Sequence, residues 1–125
     1  MPGSGSDPGS RTAAQAAGGD AEERAAAYLA GRGLAIVARN FRTRLGEIDL
    51  VAREGEVLVF VEVRLRSSAG FGGALESITP RKQRRIAAAA ESFLRGFRQP
   101  PRCRFDVVAL EGADIRWLRG AFECA

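Results

Sequence analysis

Two apolar segments joined by a tight turn constrain the fold of this 125-residue chain more than any other feature. Residues 46–53 and 57–65 have the composition of β-strands, and the intervening Glu54-Gly55 predicts a two-residue hairpin turn. Each strand also carries a carboxylate among its apolar residues, Asp49 in the first and Glu62 in the second. Because a buried, unpaired carboxylate costs several kcal/mol or must become neutral, this pair predicts a site for a bound cation.

The expected pairing of the two strands places the acidic residues on one side of the sheet. Side chains alternate along a strand, so Glu47 and Asp49 share a face, as do Glu62 and Arg64. With Glu54-Gly55 as the turn, residues whose numbers sum to 109 lie opposite one another. Asp49 and Glu62 are then a diagonal pair, with Cβ atoms about 7–8 Å apart. One cation could contact both carboxylates, with Glu47 as a further candidate ligand.

The composition narrows the chemistry of such a site. The chain has no histidine, which excludes Ser-His and Cys-His catalysis, histidine as a general base and the usual zinc ligand sets. The two cysteines, Cys103 and Cys124, lack metal-type spacing and are expected to be free thiols. Oxygen ligands alone suit Mg²⁺ or Mn²⁺. The alternative is that the glutamates pair with arginines such as Arg44, Arg64 and Arg66 on a solvated sheet face, and the spacing leaves both interpretations open.

The remaining segments predict one α/β domain, a mixed central sheet flanked by helices, in the order α-β-β-β-α-β-β. Residues 1–19 are rich in glycine, serine, proline and alanine and are expected to form a disordered tail. The predicted domain therefore covers residues 20–125, with Asp20 as the N-cap of its first helix. No segment resembles a membrane helix or the apolar part of a signal peptide, so we expect a cytoplasmic protein without membrane association. The predicted elements are helices at 20–30 and 80–97 and strands at 34–41, 46–53, 57–65, 103–110 and 115–122.

The chain is basic, and its cations cluster near one predicted helix start. Its net charge is +4, with 19 lysines and arginines, of which Lys82 is the only lysine. Thr79-Pro80 is a strong helix-start signal. The cations that follow it oppose the helix dipole, a conflict that a bound phosphate would relieve. A solvated helix face is the alternative. The candidate nucleic-acid-binding residues are Arg42, Arg44, Arg66, Arg81, Lys82, Arg84 and Arg85.

Four sequence motifs, taken together, resemble the UPF0102 (YraN-like) family. They are GEIDLV at 46–51, VFVEVR at 59–64, TPRKQRRI at 79–86 and RFDVV at 104–108. This family is assigned to the restriction-endonuclease-like, PD-(D/E)xK nuclease superfamily. The resemblance covers nearly all of the chain after the tail. It implies a restriction-endonuclease-like fold and a Mg²⁺- or Mn²⁺-dependent endonuclease that acts on DNA, with branched DNA among the expected substrates.

Taken position by position, the resemblance implies a set of catalytic residues. Asp49 resembles the metal-binding aspartate, and Glu62 resembles the acidic residue of the D/E-x-K pair. Arg64 stands where the superfamily has lysine and would contact the scissile phosphate. Glu22 and Gln83 match positions that assist the site in related junction-resolving nucleases. Because arginine is not deprotonated in proteins, Arg64 is excluded as a general base, and the expected activity is reduced.

Two other functions also fit the sequence. The first is a nucleic-acid-binding module of the same fold that has lost cleavage, because Arg64 replaces the lysine. The second is a protein-interaction domain whose basic surface is incidental. DNA is favoured over RNA as the partner. A homodimer would suit the cutting of two strands, although no segment demonstrates one.

Overall fold

The structure is a computed structural model that describes residues 13–65, 73 and 75–123, with the backbone alone for residues 13–18. Two residues with predicted roles, Arg66 and Cys124, lie outside the described residues, so the expectation of two free thiols stays a prediction. The elements are α1 (Ala13–Gly31), β1 (Ala35–Arg42), β2 (Glu47–Glu54), β3 (Val57–Leu65), α2 (Pro80–Leu94), β4 (Cys103–Glu111) and β5 (Asp114–Phe122).

The five strands form one mixed sheet in the order β1-β2-β3-β4-β5. Strands β3 and β4 are parallel, and the other neighbouring pairs are antiparallel. Helix α2 lies in the connection between the two parallel strands, which need a crossover of this kind. The prediction of a mixed central sheet flanked by helices is therefore confirmed. Among the described residues, no helix combines the length and the hydropathy needed to span a membrane.

Alternating side chains of the central strands fill two hydrophobic clusters, one under each helix. In β3, Val61 belongs to the cluster that contains Leu29 of α1. Its neighbour Phe60 belongs to the cluster that contains Ile86 of α2. Glu62 follows Phe60 by two residues, so the strand places this carboxyl group at the edge of the α2 cluster.

The hairpin turn between β2 and β3 is Gly55-Glu56, and the predicted turn at Glu54-Gly55 is wrong by one residue. Gly55 has a φ of 62°, which a glycine adopts without strain at the first position of such a turn. Glu54 pairs with Val57, so opposite residues have numbers that sum to 111 rather than 109. This change moves the pairing by two positions, and a register shift of two does not by itself move a side chain to the other face of the sheet.

Helix α1 begins at Ala13, well before the predicted start at Asp20. The segment between them is rich in alanine, which has the highest helix propensity, and this outweighs the glycines at 18 and 19. Asp20 consequently lies inside the helix and is not its N-cap. Within the predicted tail, residues 13–19 are helical, and residues 1–12 lie outside the described residues.

Helix α2 begins where Thr79-Pro80 predicted it. The Thr79 hydroxyl oxygen accepts a hydrogen bond of 3.2 Å from the backbone N–H of Lys82, and Pro80 opens the first turn. The helix ends at Leu94, three residues before the predicted Phe97. Its buried residues are Ile86, Ala89 and Ala90.

The turn between β1 and β2 packs directly against α2. A Cβ atom on Gly46 would overlap the backbone carbonyl of Arg85, so only glycine fits at this contact. The hydroxyl of Thr43 closes the turn by accepting hydrogen bonds of 3.1 Å from the N–H groups of Leu45 and Gly46. The turn therefore holds the start of β2, including Glu47, against the first turns of α2.

Candidate metal centre

The candidate site lies where strands β2 and β3 separate. Their ladder runs as far as the pair Leu50–Val61, and the next step in the same register would align Asp49 with Glu62. At this point Asp49 Oδ2 accepts a hydrogen bond of 2.8 Å from the backbone N–H of Val63. The carboxylate thus binds a main-chain donor at the end of the ladder, which fixes the position of its side chain.

Strand β2 also loses its regular alternation at Asp49. Leu50 packs in the α1 cluster, but Ile48, two residues earlier, packs in the α2 cluster. The adjacent strand is irregular at the same level, since Asn40 has a φ of 52°. Asparagine tolerates this left-handed conformation better than most residues. The local distortion explains how Asp49 reaches both the α1 side and the α2 side of the sheet.

Carboxyl groups from three elements lie near one another here. Asp49 of β2 is a neighbour of both Glu22 of α1 and Glu62 of β3, and its charge raises the pKa of each. The side-chain amide of Asn40 in β1 also lies beside Glu22 and acts to lower its pKa. We call Glu22, Asp49 and Glu62 the carboxyl cluster. The predicted proximity of Asp49 and Glu62 is confirmed, and the structure brings Glu22 to the same place.

The electrostatics of the carboxyl cluster disfavour three negative charges. Burial and the neighbouring Asp49 charge raise the pKa of Glu62 to about 8, against the lowering effect of Arg64 and Lys82. Burial also raises the pKa of Asp49, although the Val63 N–H opposes the rise. The pKa of Glu22 is raised by burial and by the charge of Asp49. Without a bound cation Glu62 therefore retains a proton near neutral pH.

Two cations approach Glu62 from different sides. Arg64 Nη2 lies 3.3 Å from Glu62 Oε2, and the two side chains are only 19% and 13% exposed. Among the described residues, Arg64 Nε and Nη2 are buried and have no hydrogen-bond acceptor, so this contact is an ion pair without hydrogen-bond geometry. Lys82 approaches from α2 and lines an open cleft of about 240 Å³ beside Glu62. The cleft lining comprises Glu47, Glu62, Lys82, Arg85 and Ile86.

The other predicted site residues lie around the cluster or away from it. Glu47 is at the cleft but exposed, and it forms an ion pair of 3.5 Å with Arg42. Gln83 Nε2 donates a 3.1 Å hydrogen bond to the carbonyl of Ile78 and lines a different cleft, so the structure does not bring it to the carboxyl cluster. Arg44 lines a third cleft, on the flank of α2. The exposed cations of α2 are Arg81, Lys82, Arg84 and Arg85.

An acid outside the carboxyl cluster shows what a structural carboxylate looks like in this fold. Asp106 is fully buried. It accepts hydrogen bonds of 3.0–3.2 Å from the Arg104 guanidinium, 2.8 Å from the indole N–H of Trp117 and 2.9 Å from the N–H of Gly120. The fold thus provides hydrogen-bond donors and a compensating charge for Asp106. The carboxyl cluster differs, because its acids lie beside one another.

The donor set of the carboxyl cluster fits a hard divalent cation. In the part of the chain that is described, no three histidine, cysteine or acidic side chains converge as a preformed metal cage. Mg²⁺ does not require one, because it is usually held by one or two carboxylates together with waters and substrate phosphates. Glu62 supplies one carboxylate at a cleft that is open to solvent, and Asp49 supplies a second beside it.

Sequence reasoning did not identify two groups that shape this site. The Val63 N–H is a main-chain donor, and such a contact has no signature in the residue type. Asn40 carried a weak signal, because asparagine inside a strand is unfavourable and tolerates a positive φ. The contact between Lys82 and Glu62 depends on how α2 crosses the sheet, which the residue pattern of the helix does not contain.

Fold and site together define the class of protein. It is a small mixed α/β domain with an acidic cluster at the divergence of two strands and a basic helix beside it. Residues 21–110 match the Uncharacterised protein family UPF0102. The chain belongs to this family.

Curated relatives support the assignment along most of the chain. It is 50% identical over 113 residues to the UPF0102 protein of Herminiimonas arsenicoxydans, which covers 90% of this chain and 91% of the relative. It is 58% identical over 113 residues to that of Ralstonia pickettii, with 86% and 90% coverage. It is 55% identical over 105 residues to that of Halorhodospira halophila, with 84% and 85% coverage.

Proposed function

We propose that this protein is a Mg²⁺- or Mn²⁺-dependent endonuclease of restriction-endonuclease-like type that cleaves DNA phosphodiesters, with branched DNA as the expected substrate. One observation carries the proposal. The carboxyl of Glu62 lies next to that of Asp49 and also lines a cleft whose other wall is the basic first half of α2.

A divalent cation would resolve the electrostatic conflict within the carboxyl cluster. The raised pKa values show that the fold stabilises the protonated carboxyls over two adjacent bare charges. A cation between the oxygens favours the ionised form instead. When bound, such an ion stabilises negative charge on a phosphate and lowers the pKa of a coordinated water.

The chain's own residues prepare this site for a phosphodiester. Asp49 is oriented by the Val63 N–H, and Glu62 is held by Arg64. Glu22 supports Asp49 from α1. The exposed cations of α2 lie beside the cleft, where they can bind the phosphate backbone of a nucleic acid.

A nucleic-acid-binding module without cleavage is the second candidate. The observation that favours it is the ion pair between Arg64 and Glu62, because an arginine that neutralises Glu62 reduces the pull on a metal ion. In that case the basic surface would still bind DNA, and adding Mn²⁺ would produce no cleavage.

The test compares Asp49→Asn with the wild-type protein on linear, flapped and four-way DNA in Mn²⁺. Asparagine keeps an oxygen that can accept from Val63 N–H but removes the charge. Asp114→Asn is the matched control, since Asp114 is an exposed aspartate at the start of β5. We expect cleavage by the wild type and the control and its loss in Asp49→Asn. Equal cleavage by Asp49→Asn would overturn the site, and DNA binding without cleavage would favour the second candidate. The same cleavage assay with single-stranded RNA of matched length tests whether DNA or RNA is the substrate.

A further inference from the structure

Lys82 is a lysine in a chain whose other cationic side chains are all arginine. Of 19 lysines and arginines it is the only lysine, so arginine serves every other cationic position. The two side chains differ in shape as well as in pKa. Arginine presents a broad planar fork, whereas lysine presents a compact ammonium with three donors. A single lysine is therefore informative about the space that it occupies.

The structure puts this lysine at the carboxyl cluster. Lys82 lies in the first turn of α2, where its own N–H is fixed by the Thr79 cap. Its side chain is exposed and lines the cleft together with Glu47 and Glu62. The ammonium is close enough to Glu62 to favour its ionised form. A ligand that enters the cleft would meet this ammonium beside the carboxylates.

Arg64 is placed differently. Its side chain is only 19% exposed, and its charge is directed at Glu62 at 3.3 Å. Its Nε and Nη2 atoms are buried. For Nη2 to bind a phosphate, Arg64 would have to give up its contact with Glu62 and weaken the charge compensation of that half-buried carboxyl, which is costly. Arg64 is thus suited to holding Glu62 in place.

We propose that Lys82, and not Arg64, is the cation that contacts the substrate phosphate beside the carboxyl cluster, while Arg64 is a positioning residue for Glu62. This assignment rests on the proposed function for its substrate class. It exchanges the roles that the sequence resemblance implied, in which Arg64 reaches the scissile phosphate. The ammonium donates hydrogen bonds to a non-bridging phosphate oxygen and balances its charge, and no proton transfer is assigned to it.

The decisive test uses the fact that Lys82 is unique. Selective labelling of lysine with ¹³C and ¹⁵N gives one side-chain ammonium signal in the full-length protein, and its response to a short DNA duplex is followed in Ca²⁺ without cleavage. We expect a saturable shift of this signal that tracks duplex binding. The signal should also shift in Arg64→Gln, because the contact does not run through Arg64.

Binding measurements provide the companion readout. Lys82→Ala should weaken duplex affinity about three- to tenfold, and Lys82→Arg should restore only part of it. Arg53→Ala, which removes one exposed cation at the far end of β2, is the control and should change affinity less than twofold.

The outcomes separate this inference from the proposed function. If the duplex binds and the lysine signal does not move, the inference is overturned, whether or not the protein cleaves DNA. If the signal moves and no DNA is cleaved in Mn²⁺, the phosphate contact stands and the endonuclease proposal fails. If no duplex binds even at low salt, both fail.

Discussion

At the scale of single residues, the half-buried Glu62 and the fully buried Asp106 differ in the partners that the fold provides for them. Asp106 receives donors from Arg104, Trp117 and Gly120, and it lies in the interior with its charge compensated. Glu62 meets another carboxyl group, and the only cation in ion-pair contact with it among the described residues is Arg64. A carboxyl group that lies beside another acid is a better candidate for ligand binding than one whose charge is compensated by donors within the fold.

The raised pKa of Glu62 predicts that the metal-free protein loses stability as the pH rises. The pKa is 4.5 in the unfolded chain and about 8 in the folded one, so the native state binds more protons between these values. Stability therefore falls from about pH 4.5 to about pH 8, by a few kcal/mol, and the raised pKa of Asp49 acts in the same direction. Thermal unfolding in a chelator measures the slope. Glu62→Gln should flatten it, and an unchanged slope in that variant would refute the assignment.

Replacing Asp106 is expected to lower the stability of the protein without changing its binding of metal. Asp106→Asn breaks a buried ion pair with Arg104 and should cost about 3–5 kcal/mol of unfolding free energy in denaturant titration. Because the residue lies outside the carboxyl cluster, the folded variant should bind Mn²⁺ as the wild type does. A loss below about 1 kcal/mol would show that Asp106 is not the structural anchor that its contacts suggest.

At the scale of secondary-structure elements, Asp49 and Asp106 each lie where a strand ladder is irregular. Asp49 accepts from Val63 N–H at the end of the β2–β3 ladder. Asp106 accepts from Gly120 N–H where the β4–β5 register shifts. A side-chain oxygen at these points receives a main-chain donor and keeps the backbone satisfied while the strands separate. At β2 and β3 the separation opens the space in which the carboxyl cluster lies.

The packing of α2 on the β1–β2 turn predicts a severe effect of Gly46→Ala. The added methyl group would overlap the Arg85 carbonyl, so α2 must shift or the turn must distort. We expect a loss of about 1–3 kcal/mol in urea unfolding, together with weaker DNA binding, because Lys82 moves with the helix. Gly31→Ala is the matched control, since a Cβ there meets no atom within 4 Å. Equal stability of the two variants would contradict the contact.

Much of this architecture could be predicted from periodicity. The alternation in residues 57–65 and the start signal at Thr79-Pro80 define elements that the structure confirms. The prediction that Asp49 and Glu62 lie on one side of the sheet did not depend on the exact turn, because a register error of two positions does not change the face of a side chain. Three features could not be predicted. The contact between Asp49 and Glu62 depends on which turn residue takes a positive φ. The start of α1 at Ala13 depends on alanine propensity outweighing glycine, and the position of Gln83 depends on the rotation of α2.

At the scale of the whole molecule, a small positive net charge is distributed unevenly around the cleft. The chain carries +4 overall, and four exposed cations lie on the first two turns of α2 beside the carboxyl cluster. A basic helix next to an acidic pocket attracts a polyanion and leaves the pocket free for a counter-ion. This distribution suits the polyanionic partner that we propose and disfavours a basic protein surface.

Binding to a DNA duplex should therefore weaken steeply with salt. Each phosphate contact contributes about 0.9 to the slope of log affinity against log salt concentration. Lys82→Ala should reduce this slope by about 1, measured by fluorescence anisotropy across a salt series. Arg53→Ala provides the comparison, since its exposed cation lies at the other end of β2. A slope near zero for the wild-type protein would exclude a backbone-binding surface.

The central claim is that Asp49 and Glu62 form a divalent-cation site, and Mn²⁺ titration calorimetry at pH 8 tests it most directly. At this pH about half of the Glu62 carboxyls are already ionised without metal. The account predicts a saturable Mn²⁺ site in the wild-type protein and in Asp114→Asn, with proton release on binding, and its loss in Asp49→Asn. Mn²⁺ binding of equal affinity and stoichiometry in Asp49→Asn would contradict it.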